Sequence, residues 1–154
     1  MFKFDLQMFA SHNTYSFTDV EAVISHPDYG QYTMQGEGMG DFTISKTTDR
    51  TTHDVAADGT VMVSKIAGNN GSVVINAQQT STLHNWLSGL FNYLVTASTD
   101  KWAQISVTIR APKMKKTNYC TGGAFLKEAD EPYQSQGQRV AWTILFADIQ
   151  KLPL

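Results

Sequence analysis

The residues best equipped for chemistry in this chain are four histidines, one cysteine and three closely spaced aspartates. His12, His26, His53 and His84 are scattered and show no paired spacing. A zinc site needs several ligands at suitable separation, and none is visible. Asp49, Asp54 and Asp58 offer oxygen ligands, but their intervals do not match the alternating positions of an EF-hand loop. The expectation for them is a solvated loop, or a loop ordered by a neighbouring subunit. Cys120 is the sole cysteine and has no internal disulfide partner. Free cysteine is among the most buried residue types, so an inert buried thiol is expected before a catalytic one. A fold that does not rely on oxidation suits assembly in a cytosol.

The stretch Gly36-Glu37-Gly38-Met39-Gly40 has the composition of a phosphate-binding loop. Such a loop needs a strand before it and a helix N-terminus after it. Here Asp41-Phe42-Thr43-Ile44-Ser45 follows and reads as a strand, so a turn or bulge is expected. There is no Walker A pattern and no Gly-x-Ser-x-Gly. A Ser-His-Asp set would be assembled in space, and no spacing singles one out. Arg110-Ala111-Pro112-Lys113-Met114-Lys115-Lys116 is the only basic cluster. It could touch nucleic acid or an acidic neighbour, but it is short and lacks interleaved aromatics. A solvated turn or an inter-subunit ion pair fits it better. No cofactor, metal or catalytic residue is predicted, and the chain is read as a non-enzyme.

The elements around these residues read as mainly β. Ile105, Val107 and Ile109 alternate with Ser106, Thr108 and Arg110. In Val140–Ile149, Val140, Trp142, Ile144 and Phe146 share one face, while Leu145 and Ile149 lie on the other; a strand covered on both faces fits. The runs Thr60–Ile66 and Ser72–Ala77 predict a hairpin closed by Gly68-Asn69-Asn70-Gly71. Asp58-Gly59 marks another tight turn. Tyr15–Ile24 and Asp41–Lys46 are further strand candidates. One helix, about residues 81–97, is predicted by the stripe Leu83, Trp86, Leu87, Leu90, Phe91 and Leu94, with Thr80 or Ser81 as cap. His84 falls beside the stripe. Gly89 within it costs about 1 kcal/mol against alanine. Residues 45–59 and Lys127–Gln138 read as long polar loops, and loops of that length are usually functional or disordered.

The chain has 154 residues, the size of one domain, and no composition shift divides it. Charged residues make up 17%, below the typical ~25%, and the formal net charge is −2. That balance argues against a duplex DNA binder, which needs a concentrated basic face. No run of 18 apolar residues is present, so no membrane anchor is expected. Phe2, Phe4, Leu6 and Met8 alternate within an arm, residues 1–14, that reads poorly as a signal peptide. The arm reads as a strand or a segment that docks elsewhere.

The opening Phe4-Asp5-Leu6-Gln7-Met8-Phe9-Ala10 resembles the start of many structural proteins in phages of low-GC Gram-positive bacteria. From Tyr15 to Gln150 the chain resembles the phage tail tube family. The likeness lies in Tyr15-Ser16-Phe17, the polar loop from Thr47 to Asp58, the hairpin ending at Ala77, the Leu83–Leu94 helix and the closing Trp142-Thr143-Ile144 strand. The resemblance implies a β-sandwich or small barrel with one flanking helix. It also implies a virion protein whose six copies close into a ring with a continuous β-lined lumen, and whose rings stack into a tube. Its partners would be further copies of itself, the sheath, baseplate and terminator proteins, and DNA in transit. Assembly would take place in the host cytoplasm. The inter-subunit contacts expected are Phe2, Phe4 and Leu6 in the arm, with Thr47, Asp49, Arg50, His53, Asp54, Val55 and Asp58 in the loop. A phage-derived bacteriocin tube is the same reading. Alternatives are a terminator, a sheath or a secretion-system tube relative, and, in other classes, a cytosolic hydrolase or a β-sandwich ligand-binding module.

Overall fold

The computed structural model describes residues 12–34 and 38–153, and all statements below concern these. The chain forms nine strands and one α-helix: β1 (Glu21–His26), β2 (Gly30–Thr33), β3 (Met39–Lys46), β4 (Thr51–Val55), β5 (Val61–Lys65), β6 (Gly71–Gln78), α1 (Thr82–Thr96), β7 (Ile105–Ala111), β8 (Lys116–Phe125) and β9 (Arg139–Pro153). Seven strands make one antiparallel sheet in the order β2-β1-β7-β8-β9-β6-β3, and β4 and β5 make a separate two-stranded ribbon. The sheet curls into a half-barrel. The mainly β fold with one flanking helix is thus present, in the barrel-like form.

The concave face holds the core. Ile44, Val73, Ile144 and Phe125 lie in one cross-strand row, and Phe42, Ile75 and Trp142 in the next. The row between them, Thr43, Val74 and Thr143, points to the opposite face and is less buried, the alternation a half-covered sheet requires. The curl brings the two flanks together: Phe17, just before β1, meets Phe42 of β3 with ring centroids 5.4 Å apart. The expected strand from Tyr15 therefore begins only at Glu21, because Phe17–Asp19 is a 3-10 turn capped by Ser16.

The α1 helix fills the other half of the concave face. Ser81 is its N-cap, its hydroxyl accepting from the His84 backbone N–H. Leu83, Leu87, Leu90 and Leu94 are buried, each worth about 1.5–3 kcal/mol. Those gains outweigh the cost of Gly89, which has a packing reason: a Cβ there would collide with the Tyr29 hydroxyl. Trp86 and Phe91 are partly buried. Trp86 packs against Tyr29 and Tyr32, and Phe91 against Phe125 and Trp142.

In three further places the structure departs from the sequence reading. Thr60–Ile66 does not pair with Ser72–Ala77. Val61–Lys65 pairs instead with Thr51–Val55, while β6 sits between β3 and β9. The turn that closes the ribbon is Asp58-Gly59: Gly59 has φ +91°, its N–H donates to Ala56 O, and Asp58 accepts from the Thr60 N–H at 3.0 Å. Residues 45–59 are consequently no loop, since β3 continues to Lys46 and β4 begins at Thr51. Threonine, histidine and valine favour a pleated ribbon once a partner strand is present.

The third departure is at Ile149, which lies on the core face and not the opposite one. Gly122 has φ +68°, and β8 carries one extra residue against β7 between the Ile105–Gly123 and Val107–Cys120 pairs. This bulge shifts the inward positions of β8 from Gly123 to Cys120, and those of β9 from Phe146 to Ile149. Leu145 faces out and is exposed.

Candidate assembly surfaces

The register puts both ends of the ribbon's root, Lys46 and Gly71, at one end of the sheet. The 3-10 turn Pro112–Met114 and the last residues of β9 lie at that same end, because Ala111 pairs with Lys116 and Lys116 with Pro153. The loop between β8 and β9 and the start of α1 lie at the other end.

At the root, Thr47 N–H donates to Asn70 O at 3.1 Å and the Thr48 hydroxyl donates to Asn70 Oδ1. Arg50 reaches back to Gly68 O and, at 3.1 Å, to Asn69 Oδ1. Its own carbonyl accepts from Ile66 N–H at 2.9 Å. Arg50 therefore anchors the ribbon to its own chain. Asp49 is exposed beside it.

Beyond the root, every residue of both ribbon strands is exposed. The pairs His53–Val63 and Val55–Val61 share one face, and Asp54–Met62 is on the other. Val55 is 64% exposed, Val63 61% and Met62 61%. An isolated two-stranded hairpin is at best marginally stable in water, and this one holds its largest apolar side chains in solvent. Asp58 sits at the tip, its carboxyl held below the usual aspartate range by the backbone N–H and hydroxyl of Thr60. The expected contact residues His53, Asp54, Val55 and Asp58 are thus gathered on one projecting element. Val61, Met62 and Val63 stand on the same element and were not among the expected contact residues; their unbroken apolar run reads as a strand covered on both faces, whereas on this chain alone both faces are exposed. Phe2, Phe4 and Leu6 lie outside the described residues.

Two strands, β2 and β3, are the sheet's edges, each with one side unpaired among the described residues. The convex face mixes small polar residues with larger apolar ones: Thr43, Thr143, Ser25 and Ser106 lie on it, the two serine hydroxyls 2.8 Å apart, together with Val74, Tyr119 and Leu145. At the ribbon end, Tyr15, Phe17, Met114 and Phe42 surround a cleft of about 250 Å³ floored by Ile109 and Ala111, with Lys116 and Lys151 on its rim. Lys113 stands beside it. None of these three lysines forms an ion pair among the described residues.

Neither the histidines nor Cys120 form a reactive cluster. His26 accepts from Asp28 N–H at Nδ1 and donates from Nε2 to Lys101 O at 2.9 Å. His84 is buried, not beside the stripe, because it accepts from Trp142. Burial pushes the Cys120 thiol up to about 11 against the opposing pull of Lys151 and Lys46, so it stays protonated and unreactive near neutral pH. Among the described residues no group of three or more His, Cys, Asp or Glu comes together to hold a metal ion.

A family model described as "Bacteriophage PhiTE tail tube protein" matches residues 12–153. No curated protein matches the sequence. Among solved structures, a chain of the cryo-EM structure of the anti-feeding prophage (AFP) baseplate is similar with TM-score 0.59 at 10% identity, covering 93% of this chain and 97% of that one. A chain of the PVC extracellular contractile injection system sheath–tube complex in the extended state gives 0.53 at 8% identity, covering 99% and 100%. A chain of the PVC sheath/tube terminator in the extended state gives 0.54 at 10%, covering 92% and 98%. At these identities the likeness is one of fold.

Proposed function

Because the chain belongs to the bacteriophage PhiTE tail tube protein family, we propose that it is a tube-building subunit whose copies close into six-membered rings, and that the rings stack head to tail around a lumen for DNA. The observation that carries this reading is the exposed β4–β5 ribbon. A soluble monomer gains nothing by holding Val55, Met62 and Val63 in water, whereas a subunit that buries them in a neighbour does. The two open edges, β2 and β3, support lateral closure: pairing edges around a ring removes unpaired backbone groups. A contact between unlike surfaces repeats along an axis, so it builds a filament. The chain is read as one unit with two extensions, the arm 1–14 and the ribbon. Sheath, baseplate and terminator proteins are its proposed partners, following the assemblies in which the similar folds occur, and host cytoplasm is the proposed place of assembly.

Electron microscopy of the purified protein, with sedimentation across a wide concentration range, tests this. Rings or tubes are expected. A strict monomer at the highest concentration overturns the reading.

A further inference from the structure

The root of the ribbon holds three cations without carboxylate partners. Lys46 closes β3, Arg50 stands just before β4, and Lys151 lies near the end of β9. With Thr48, Gly68 and Asn69 they line a cavity of about 420 Å³, and no aspartate, glutamate or aromatic side chain lines it. Asp49 adjoins Arg50 and Asp148 precedes Lys151 on β9, yet among the described residues none of the three cations is in an ion pair. We infer that this cavity is a binding site for a phosphate-class oxyanion: inorganic phosphate, or the terminal phosphate of a small molecule, is held between Arg50, Lys46 and Lys151 at the joint of ribbon and sheet. The site belongs to a single subunit and stands whether or not copies assemble.

The cations are held in place by groups that leave their charge uncancelled. Both hydrogen bonds of the Arg50 guanidinium, to Gly68 O and Asn69 Oδ1, start from Nη1. Nε and Nη2 form the edge that grips an oxyanion with two parallel bonds, and they keep their N–H groups for it. Lys46 Nζ uses one of its N–H groups on Ile149 O and retains the others. Asn69 accepts through Oδ1, which leaves its amide N–H groups as neutral donors beside the cations. Carbonyl oxygens thus orient these side chains before any ligand arrives, which lowers the ordering cost of binding. The field of the lysines also reaches the core beneath. Cys120 pairs with Ile149, which lines the cavity. Burial raises its thiol, and Lys151 and Lys46 are the groups that oppose that rise.

Charge selects the ligand. Three cations and no lining carboxylate suit a terminal phosphate, which carries a charge of about −2 at neutral pH. An internal phosphodiester of nucleic acid carries a single negative charge. Single-stranded nucleic acid is also held by stacking its bases on aromatic rings, and this cavity has none. A bound phosphate joins three elements, because Arg50 leads into the ribbon while Lys46 and Lys151 belong to β3 and β9. It therefore fixes the angle of the ribbon against the sheet.

The test titrates inorganic phosphate into the full chain at constant ionic strength and at a concentration where it is monomeric. NMR follows the Arg50 Nε–H and the Asn69 side-chain amide. A saturable shift at both groups is expected, and chloride should give none. Arg50→Gln and Lys151→Gln should each weaken phosphate binding about tenfold or more. Lys113→Gln removes an equal charge outside the cavity and should leave binding unchanged. Arg50→Lys keeps the charge without the fork and should recover only part of the loss. Arg50 and Lys151 are exposed, and the melting temperatures of the variants without phosphate verify that they fold. Shifts that never saturate, or a loss as large for Lys113→Gln, mean general screening and overturn the site. Tighter binding of a single-stranded oligonucleotide lacking terminal phosphates than of inorganic phosphate overturns the choice of ligand. Tube formation enters none of these readouts, so failure of the site leaves the self-assembly reading as it stands.

Discussion

Trp142 Nε1 donates a 3.0 Å hydrogen bond to Nδ1 of His84, tying the longest strand to the first turn of the helix through the core. Trp142 is fully buried and His84 is 4% exposed. As an acceptor at Nδ1, the imidazole carries its proton on Nε2, which faces Glu131 Oε2 at 3.7 Å. One side chain therefore links β9, α1 and the loop before β9. His84→Leu fills the space but strands the indole N–H, at a cost of about 1–3 kcal/mol. Trp142→Phe removes the donor and some volume. The two changes together should cost less than the sum of the singles, by about 0.5–3 kcal/mol. Urea unfolding of the four proteins measures this, and strict additivity would show that the bond does not couple the pair.

That contact also shows where sequence reading stopped. The helix was legible because Leu83, Leu87, Leu90 and Leu94 repeat with helical period and Ser81 precedes them. Strand β7 was legible because Ile105, Val107 and Ile109 alternate. His84 was not, because polarity placed it outside the stripe and its partner lies 58 residues away. The ribbon was assigned the wrong partner for a similar reason. Periodicity marks Val61–Lys65 as extended but says nothing about which strand lies beside it, and Asp58-Gly59 proved the stronger turn. The +3 step from Phe146 to Ile149 reads as a change of face until the bulge at Gly122 is known.

Gly122 gives a prediction of its own. Its φ of +68° is rarely adopted by other residues, and a Cβ there would lie 2.9 Å from the Ala147 Cβ. Gly122→Val meets both obstacles on neighbouring strands. A loss of about 1–3 kcal/mol is expected from the backbone alone. Pairing Gly122→Ala with Ala147→Gly should recover the part due to collision and leave the part due to φ. Thermal melts of the three variants separate them.

The thiol of Cys120 makes stability depend on pH in the alkaline range. Its ordinary value is near 9, and burial raises it to about 11 in the fold. The folded state therefore holds the proton more tightly than the unfolded chain. Its contribution is fully present below pH 9 and is lost as pH rises from about 9 through 11. Cys120→Ala should flatten that part of the profile, measured as urea midpoint against pH. Labelling by a thiol reagent at pH 8 should follow unfolding, and rapid labelling of the folded protein would show that the thiol is not buried.

The ribbon can be removed without cutting the sheet. Thr47 N–H already bonds Asn70 O, so β3 and β6 remain closed at that end if residues 48–69 are replaced by a two-residue Asn-Gly turn. The excised strands pair with each other and not with the seven-stranded sheet. The shortened subunit should stay folded, with a melting temperature close to that of the full chain. Three anchors change: Arg50 leaves with the ribbon, Thr48 leaves with its hydroxyl bond to Asn70 Oδ1, and Ile149 N–H loses its acceptor, Asn69 O, to water at the sheet's end. A melting point lower by a few degrees is consistent with these few lost hydrogen bonds at a solvated end of the sheet. Assembly should fail completely, since the element that offers Val55, Val61 and Val63 to a neighbour is gone. Val55→Asp in the full chain is the milder form: it keeps the ribbon and sets an unpaired charge in the contact, which should shorten tubes without changing the melt. Tube length by microscopy, read beside the melting temperature of the same preparations, decides the matter. Long tubes from the shortened subunit would move the stacking contact away from the ribbon and onto the arm that precedes Tyr15.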